Sequence, residues 1–189
     1  MRIIAGQFRG LRLVSVGKGD SAAHLRPTPD RVRESLFNVL VSTCGDPVPG
    51  ARVLDLFAGT GALGLEALSR GAEEAVFVEN GAKSRKILQG NIEKTRTEDR
   101  TQVLAKDATR LGPAFFAADL VFLDPPYGKG LGEKALAAAL AGGWIAPEAW
   151  IIWEESAPQE PPRGFERIDH RSYGETQLTI LRALSGQDE

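Results

Sequence analysis

The chain contains a single cysteine, Cys44, in 189 residues. An internal disulfide framework and a cysteine-cluster metal site are therefore both excluded. Cys44 lies between an apolar helical stretch and a Gly/Pro-rich turn, which suits a small buried or half-buried residue. Histidine is almost as scarce. His24 falls in a loop and His170 at a strand end, and both read as solvated residues. There is no long hydrophobic run. The opening Met1-Arg2-Ile3-Ile4-Ala5-Gly6 is too short for a signal peptide, and no stretch reaches membrane-spanning length. A cytoplasmic protein with no membrane partner is the expectation. Internal repeats and low-complexity tracts are also missing. One domain over 1–189 follows, with a basic leader over 1–25 and a disordered tail over 185–189.

What is present is ordinary in amount and uneven in placement. Hydrophobic residues make up 42% and charged residues 25%, as in soluble globular chains. The net charge of -2 hides an asymmetry. Residues 1–33 hold seven Lys/Arg against two acids, leaving the remainder at about −7. A basic leader on an acidic body suits an anionic partner, although charge alone equally fits a solvated basic hairpin.

Ile3 to Val14 alternates apolar and basic residues around glycines and predicts a short β-hairpin with arginines on one face. Gly17 to Ala23 reads as a polar loop. Thr28-Pro29-Asp30 predicts a helix start, with a side-chain oxygen at the cap and proline in the first turn. Val32, Leu36, Val39 and Leu40 carry that helix to about Val41, and Gly45 to Gly50 break it. From there strands and helices alternate. Strands are expected at 52–57, 75–78, 102–105, 120–123 and 150–153, with helices at 61–70, 82–94 and 132–141 and a short helical piece near Ala108. A final pair is expected at 165–170 and 177–182, around Tyr173-Gly174. Apolar strands alternating with helices predict a doubly wound, mainly parallel sheet closed by an antiparallel element.

The apolar run Leu120-Val121-Phe122-Leu123 ends at Asp124-Pro125-Pro126-Tyr127. Two prolines cannot continue a ladder, since they lack N–H groups and fix φ. The stiff loop presents a carboxylate, two carbonyls and an aromatic face. Acceptors can grip an –NH2 while the ring stacks, so the set suits a flat, amine-bearing ring. Upstream, Gly59, Gly61 and Gly64 follow a strand and open a helix as G-x-G-x-x-G. Glu79 closes the next strand, 24 residues past Asp55, where a carboxylate can accept ribose hydroxyls. Asp107-Ala108 follows the third strand, where an adenine edge would be read. A dinucleotide or S-adenosyl-L-methionine would fit such a loop. Asp55 places negative charge beside the ligand, which suits a cationic amino-acid end and opposes a pyrophosphate. The order of Asp55, Glu79, Asp107 and the proline loop favours the sulfonium cofactor.

These motifs resemble the class I S-adenosylmethionine-dependent methyltransferases. Arg2-Ile3-Ile4-Ala5-Gly6, Phe8-Arg9-Gly10 and Arg26-Pro27-Thr28-Pro29-Asp30-Arg31-Val32-Arg33-Glu34-Ser35-Leu36-Phe37-Asn38 narrow the match. Together with Asp55 to Gly61, the proline loop and Tyr173-Gly174-Glu175-Thr176, they resemble the bacterial 16S rRNA (guanine-N2) methyltransferase D family over nearly the whole chain. The resemblance implies a Rossmann-like, seven-stranded sheet with an antiparallel C-terminal strand, preceded by the hairpin. It implies methylation of a loop guanine, position 966 in rRNA numbering, in 16S rRNA of the 30S subunit or its assembly intermediate. The enzyme would be a monomer and need no metal. Asp124, Pro125, Pro126 and Tyr127 would be catalytic. Asp55, Phe57, Ala58, Gly59, Thr60, Gly61, Glu79, Asn80, Asp107, Ala108 and Asp124 would hold the cofactor. Arg9, Arg12, Arg26, Arg31 and Arg33 would hold RNA, although Arg31 and Arg33 could instead pair with Asp30 or Glu34 on the helix surface. Gly81 departs from the family pattern, where many relatives carry an acid or a larger polar residue.

Several rivals share parts of this pattern. A DNA adenine-N6 or cytosine-N4 methyltransferase uses the same tetrapeptide, but the chain has no room for a separate target-recognition domain. A protein-glutamine methyltransferase would usually carry Asn in place of Asp124. A dinucleotide-dependent reductase and a non-catalytic RNA-binding module are opposed by Asp55 and by the intact Asp124 and Tyr127.

Overall fold

The computed structural model describes residues 1–15 and 29–185. The expected polar loop at 17–23, Thr28, Arg26 and most of the expected tail lie outside them. Among the described residues four α-helices and seven strands follow in the order α1 (Asp30–Cys44), β1 (Arg52–Leu56), α2 (Ala62–Ser69), β2 (Glu74–Val78), α3 (Ala82–Thr95), β3 (Thr101–Leu104), β4 (Ala118–Leu123), α4 (Leu131–Ala141), β5 (Ile145–Glu155), β6 (Phe165–Tyr173) and β7 (Thr176–Ala183). The sheet order is β3-β2-β1-β4-β5-β7-β6. β7 runs antiparallel to both β5 and β6, and the remaining pairings are parallel.

Alternation along the strands splits the core into two layers. Val53, Phe77, Phe122 and Ile152 pack with Leu36 and Leu40 of α1, Leu65 of α2 and Leu88 of α3. Leu54, Leu56, Val121 and Leu123 face the other way, toward Leu136 and Ala139 of α4. Most of these side chains are fully buried, each worth about 1.5–3 kcal/mol. The strand order reverses between the neighbours β1 and β4, where the chain crosses over from β3 to β4, and such a switch point leaves a crevice at the strands' carboxyl ends.

The larger departures from the expected boundaries are in α1 and β5. α1 starts with Pro29 at its N-cap, not in its first turn, and runs on to Cys44, where Gly45 closes it in the left-handed conformation at φ 71. β5 begins at Ile145, ahead of the apolar run at 150–153.

The leader folds back as expected, but with a single antiparallel bridge, Arg2 to Arg12. Within the fold-back Ile3 N–H donates to the Leu11 carbonyl, Gly10 N–H to the Ile3 carbonyl and Leu13 N–H to the Met1 carbonyl, and further backbone groups reach α2 and α3. Ile4 and Ala5 N–H donate to the fully buried Glu66 of α2 at 2.7 and 3.0 Å. Gln7 N–H donates to the Ser69 carbonyl and Phe8 N–H to the Ser69 hydroxyl. Val14 exchanges two hydrogen bonds with the buried Asn91 side chain of α3. Ile3 and Leu13 enter the core. The leader is thus fastened along its length to α2 and α3.

Candidate active site

β1, β2 and β4 end in loops that meet over the switch point. Asp55, only 2% exposed, accepts the Gly64 N–H at 3.0 Å and so pins the start of α2 to β1. Burial pushes its carboxyl up to about 7; the Gly64 N–H opposes that shift and the charge of Glu79 adds to it. The turn that follows holds Phe57 at φ 62, Gly59 at φ 56 and Gly61 at φ 82. Gly64 answers a packing need instead, since a Cβ there would lie 2.3 Å from the Phe77 ring. Asn91 of α3 donates to the Thr60 carbonyl at 2.9 Å, linking this turn to the leader.

Glu79 leaves β2 and accepts the N–H groups of Gly59 and Gly81 at 2.9 and 2.6 Å. At the end of β4 come Asp124, Pro125, Pro126 and Tyr127. The Tyr127 hydroxyl donates to Glu154 of β5 at 2.7 Å. Burial, reinforced by Glu154, raises the Tyr127 hydroxyl above its ordinary pKa.

These loops enclose a cavity of about 580 Å³, within the range of small-molecule sites. Asp55, Phe57, Ala58, Gly59, Thr60, Glu79, Asn80, Ala108 and all four residues of the proline loop line it. Two expected cofactor residues do not. Gly61 sits behind the turn, where a Cβ would meet Leu88 at 2.4 Å. Asp107 is exposed, and one of its carboxylate oxygens accepts both the N–H and the hydroxyl of Thr109, which lowers its pKa. Motif reading did not assign Met1, Val32, Lys106, Lys129, Glu154 or the β6–β7 turn residues Tyr173, Glu175 and Thr176, yet all of them line the cavity.

Arg9, Arg12 and Arg31 are exposed. Arg33 corrects the sequence reading: it is fully buried and donates to Asp30 at 2.9 Å and to the Arg2 carbonyl. Its Nε and Nη1 have no hydrogen-bond partner among the described residues. A guanidinium so placed holds α1 against the leader and has no surface to offer a phosphate.

A family model described as conserved hypothetical protein 95 matches residues 1–182. Ribosomal RNA small subunit methyltransferase D of Escherichia coli K12 is 38% identical over 162 residues, covering 86% of this chain and 78% of that protein. The Haemophilus influenzae protein of the same name is 34% identical, covering 92% and 89%. The chain belongs to the ribosomal RNA small subunit methyltransferase D family. The solved structure "Putative methyltransferase yhhF from Escherichia coli" superposes with a TM-score of 0.81 at 34% identity, over 98% of this chain and 99% of that one. The mixed seven-stranded sheet is therefore the methyltransferase form of the Rossmann-like fold.

The residues present fit the cofactor of that fold. Buried Asp55 and Glu79 stand at the glycine turn, and among the described lining residues Asp55, Glu79, Asp124, Glu154 and Glu175 outnumber Lys106 and Lys129, which opposes a pyrophosphate. Asp55 and the 57–60 turn would hold the amino-acid end, Glu79 and Asn80 the ribose, and Ala108 the adenine side.

Proposed function

We propose that the protein methylates the exocyclic N2 amine of a loop guanine, of the position 966 type, in 16S rRNA of the small ribosomal subunit. The observation that carries this reading is that Asp124-Pro125-Pro126-Tyr127 and the Asp55/Glu79 turn line one cavity. The sequence relatives, named as enzymes of small-subunit rRNA, support the substrate class.

S-adenosylmethionine, when bound, supplies a methyl group whose bonding electrons remain with its sulfur. Guanine N2 is a poor nucleophile, because its lone pair is delocalised into the ring. Asp124 and the carbonyl of Pro125 or Pro126 accept its N–H hydrogens and favour a tetrahedral nitrogen. The same acceptors stabilise the positive charge that develops on that nitrogen. Tyr127 stacks on the base once it has been extruded. Alignment of the two reacting groups can contribute about 7–11 kcal/mol. The proton leaves the nitrogen for Asp124 or water. The amine end of the cavity is acidic, with Asp124, Glu154 and Glu175 in its lining. Guanine N2 lies between the N1–H donor and the N3 acceptor, whereas the amines of adenine and cytosine adjoin a ring-nitrogen acceptor and no ring N–H. An acidic wall therefore favours guanine over the adenine-N6 or cytosine-N4 alternative.

The test uses tritiated S-adenosylmethionine with 30S particles from cells lacking the activity, and maps the labelled nucleotide by mass. Label in one N2-methylguanosine of 16S rRNA is expected. Label in DNA or free RNA alone would discard the rRNA reading and keep the methyltransferase.

A further inference from the structure

Pro125 and Pro126 have no N–H, so the proline loop cannot be fixed by continuing the β4 ladder. It is held from β5 instead. Glu154 and Glu155 are consecutive strand residues and point to opposite faces. Glu155 accepts the Gly128 N–H through both oxygens, at 3.1 and 3.2 Å. Glu154 takes the Tyr127 hydroxyl at 2.7 Å, is 4% exposed, and lines the cavity.

Stacking alone needs only an aromatic face. A buried carboxylate at the far end of that ring is costly unless hydrogen-bonded, and a hydrogen bond to a charged acceptor is short and directional. It removes the ring's freedom to tilt about its own side-chain bonds. We propose that Glu154 is a positioning residue for methyl transfer, acting through the Tyr127 hydroxyl to set the plane against which the acceptor base stacks. The inference rests on the base-stacking role of Tyr127 proposed above. It makes Tyr127 a working tyrosine, whose hydroxyl phenylalanine could not replace.

The experiment is a double-mutant cycle with Tyr127→Phe, Glu154→Gln and the double variant, in the full-length protein. It is run on whichever substrate the wild-type enzyme labels, 30S particles, free RNA or DNA. Each single variant is expected to lower kcat roughly tenfold while S-adenosylhomocysteine affinity stays within about twofold. The double variant should be no slower than the worse single one, because both changes remove one interaction. Tyr127→Phe should also show Glu154→Gln to be silent in its background. Losses that multiply in the double variant would overturn the proposal in favour of independent roles. A Glu154→Gln enzyme with full kcat and only a lower melting temperature would overturn it in favour of a purely structural role. A wild-type enzyme that labels none of these substrates would instead remove the function reading itself, and this inference with it.

Discussion

The Glu79 carboxylate rests on the backbone of Gly81: its Oε1 accepts the Gly81 N–H at 2.6 Å, and a Cβ on residue 81 would lie 2.9 Å from the same oxygen. The missing side chain at 81 thus lets the acid lie against its own loop. Its second oxygen then reaches Gly59, so one carboxylate joins the turns after β1 and β2. That is a physical reason for glycine at position 81.

Gly81→Ala tests this directly. The φ at Gly81 is −75°, so alanine adds no backbone strain, and the atom it would crowd is the end of a flexible side chain. The expected result is a displaced Glu79 and an S-adenosylhomocysteine affinity weakened roughly threefold to tenfold, or about 0.7–1.4 kcal/mol. The melting temperature should hardly move. Unchanged affinity in titration calorimetry would separate Glu79 from the cofactor.

Arg9 and Arg12 stand exposed on a leader whose backbone is fastened to Glu66, Ser69 and Asn91. Reversing both to Glu should therefore leave the fold and cofactor binding intact. It should abolish rRNA methylation. In a 30S binding assay, Arg9→Ala with Arg12→Ala should flatten the plot of log affinity against log salt by roughly 1.5–2, the loss of about two phosphate contacts. Full activity of the reversed variant would remove the leader from substrate binding.

Arg33 calls for the opposite behaviour from Arg31, two residues away. Burial lowers the Arg33 guanidinium from its ordinary pKa, and Asp30 and Glu66 oppose that shift. Arg33→Ala removes the bonds to Asp30 and the Arg2 carbonyl and leaves a hole between α1 and the leader. A loss of about 2–4 kcal/mol is expected in denaturant unfolding. Arg31→Ala should change stability by no more than about 0.5 kcal/mol and show its effect in 30S binding. Equal stabilities would contradict the buried brace.

The succession of strands and helices and the cavity floor were legible because they follow from local rules. Apolar runs ending in Asp55, Glu79 and Asp124 mark strands that deliver acids to one edge of the sheet, and the glycine and proline signals locate the turns. What was not legible depends on packing between distant segments. Asp30 and Arg33 spell a surface pair at i,i+3, and only the leader lying across α1 buries the arginine. Glu154 looks like a solvated charge at a strand end. Its position directly after the apolar Trp150-Ile151-Ile152-Trp153 was the available signal that it would be buried. The start of β5 was hidden by Pro147, which argues against a strand. Asp107 followed a strand as an adenine-reading acid should, but Thr109, two residues on, captures one of its oxygens.

Asp55 gives the chain a pH dependence whose direction can be worked out. Its carboxyl has an ordinary pKa of 3.8 and is raised to about 7 in the fold. Between about pH 4 and 7 the unfolded chain has released this proton while the folded chain still holds it. Stability therefore falls as pH rises through that window and is flat, for this group, above it. Cofactor binding runs the other way. A cationic amino-acid end beside Asp55 favours the carboxylate, so binding below about pH 7 must expel the proton. S-adenosylhomocysteine affinity should rise with pH, by at most about tenfold per unit, and level off above about 7. Calorimetry at pH 6 in two buffers of different ionisation enthalpy should show proton release, which vanishes at pH 8. Asp55→Asn should abolish both the slope and the released proton. A wild-type affinity that does not change between pH 5.5 and 7.5 would mean that the cofactor's cation is held elsewhere in the cavity.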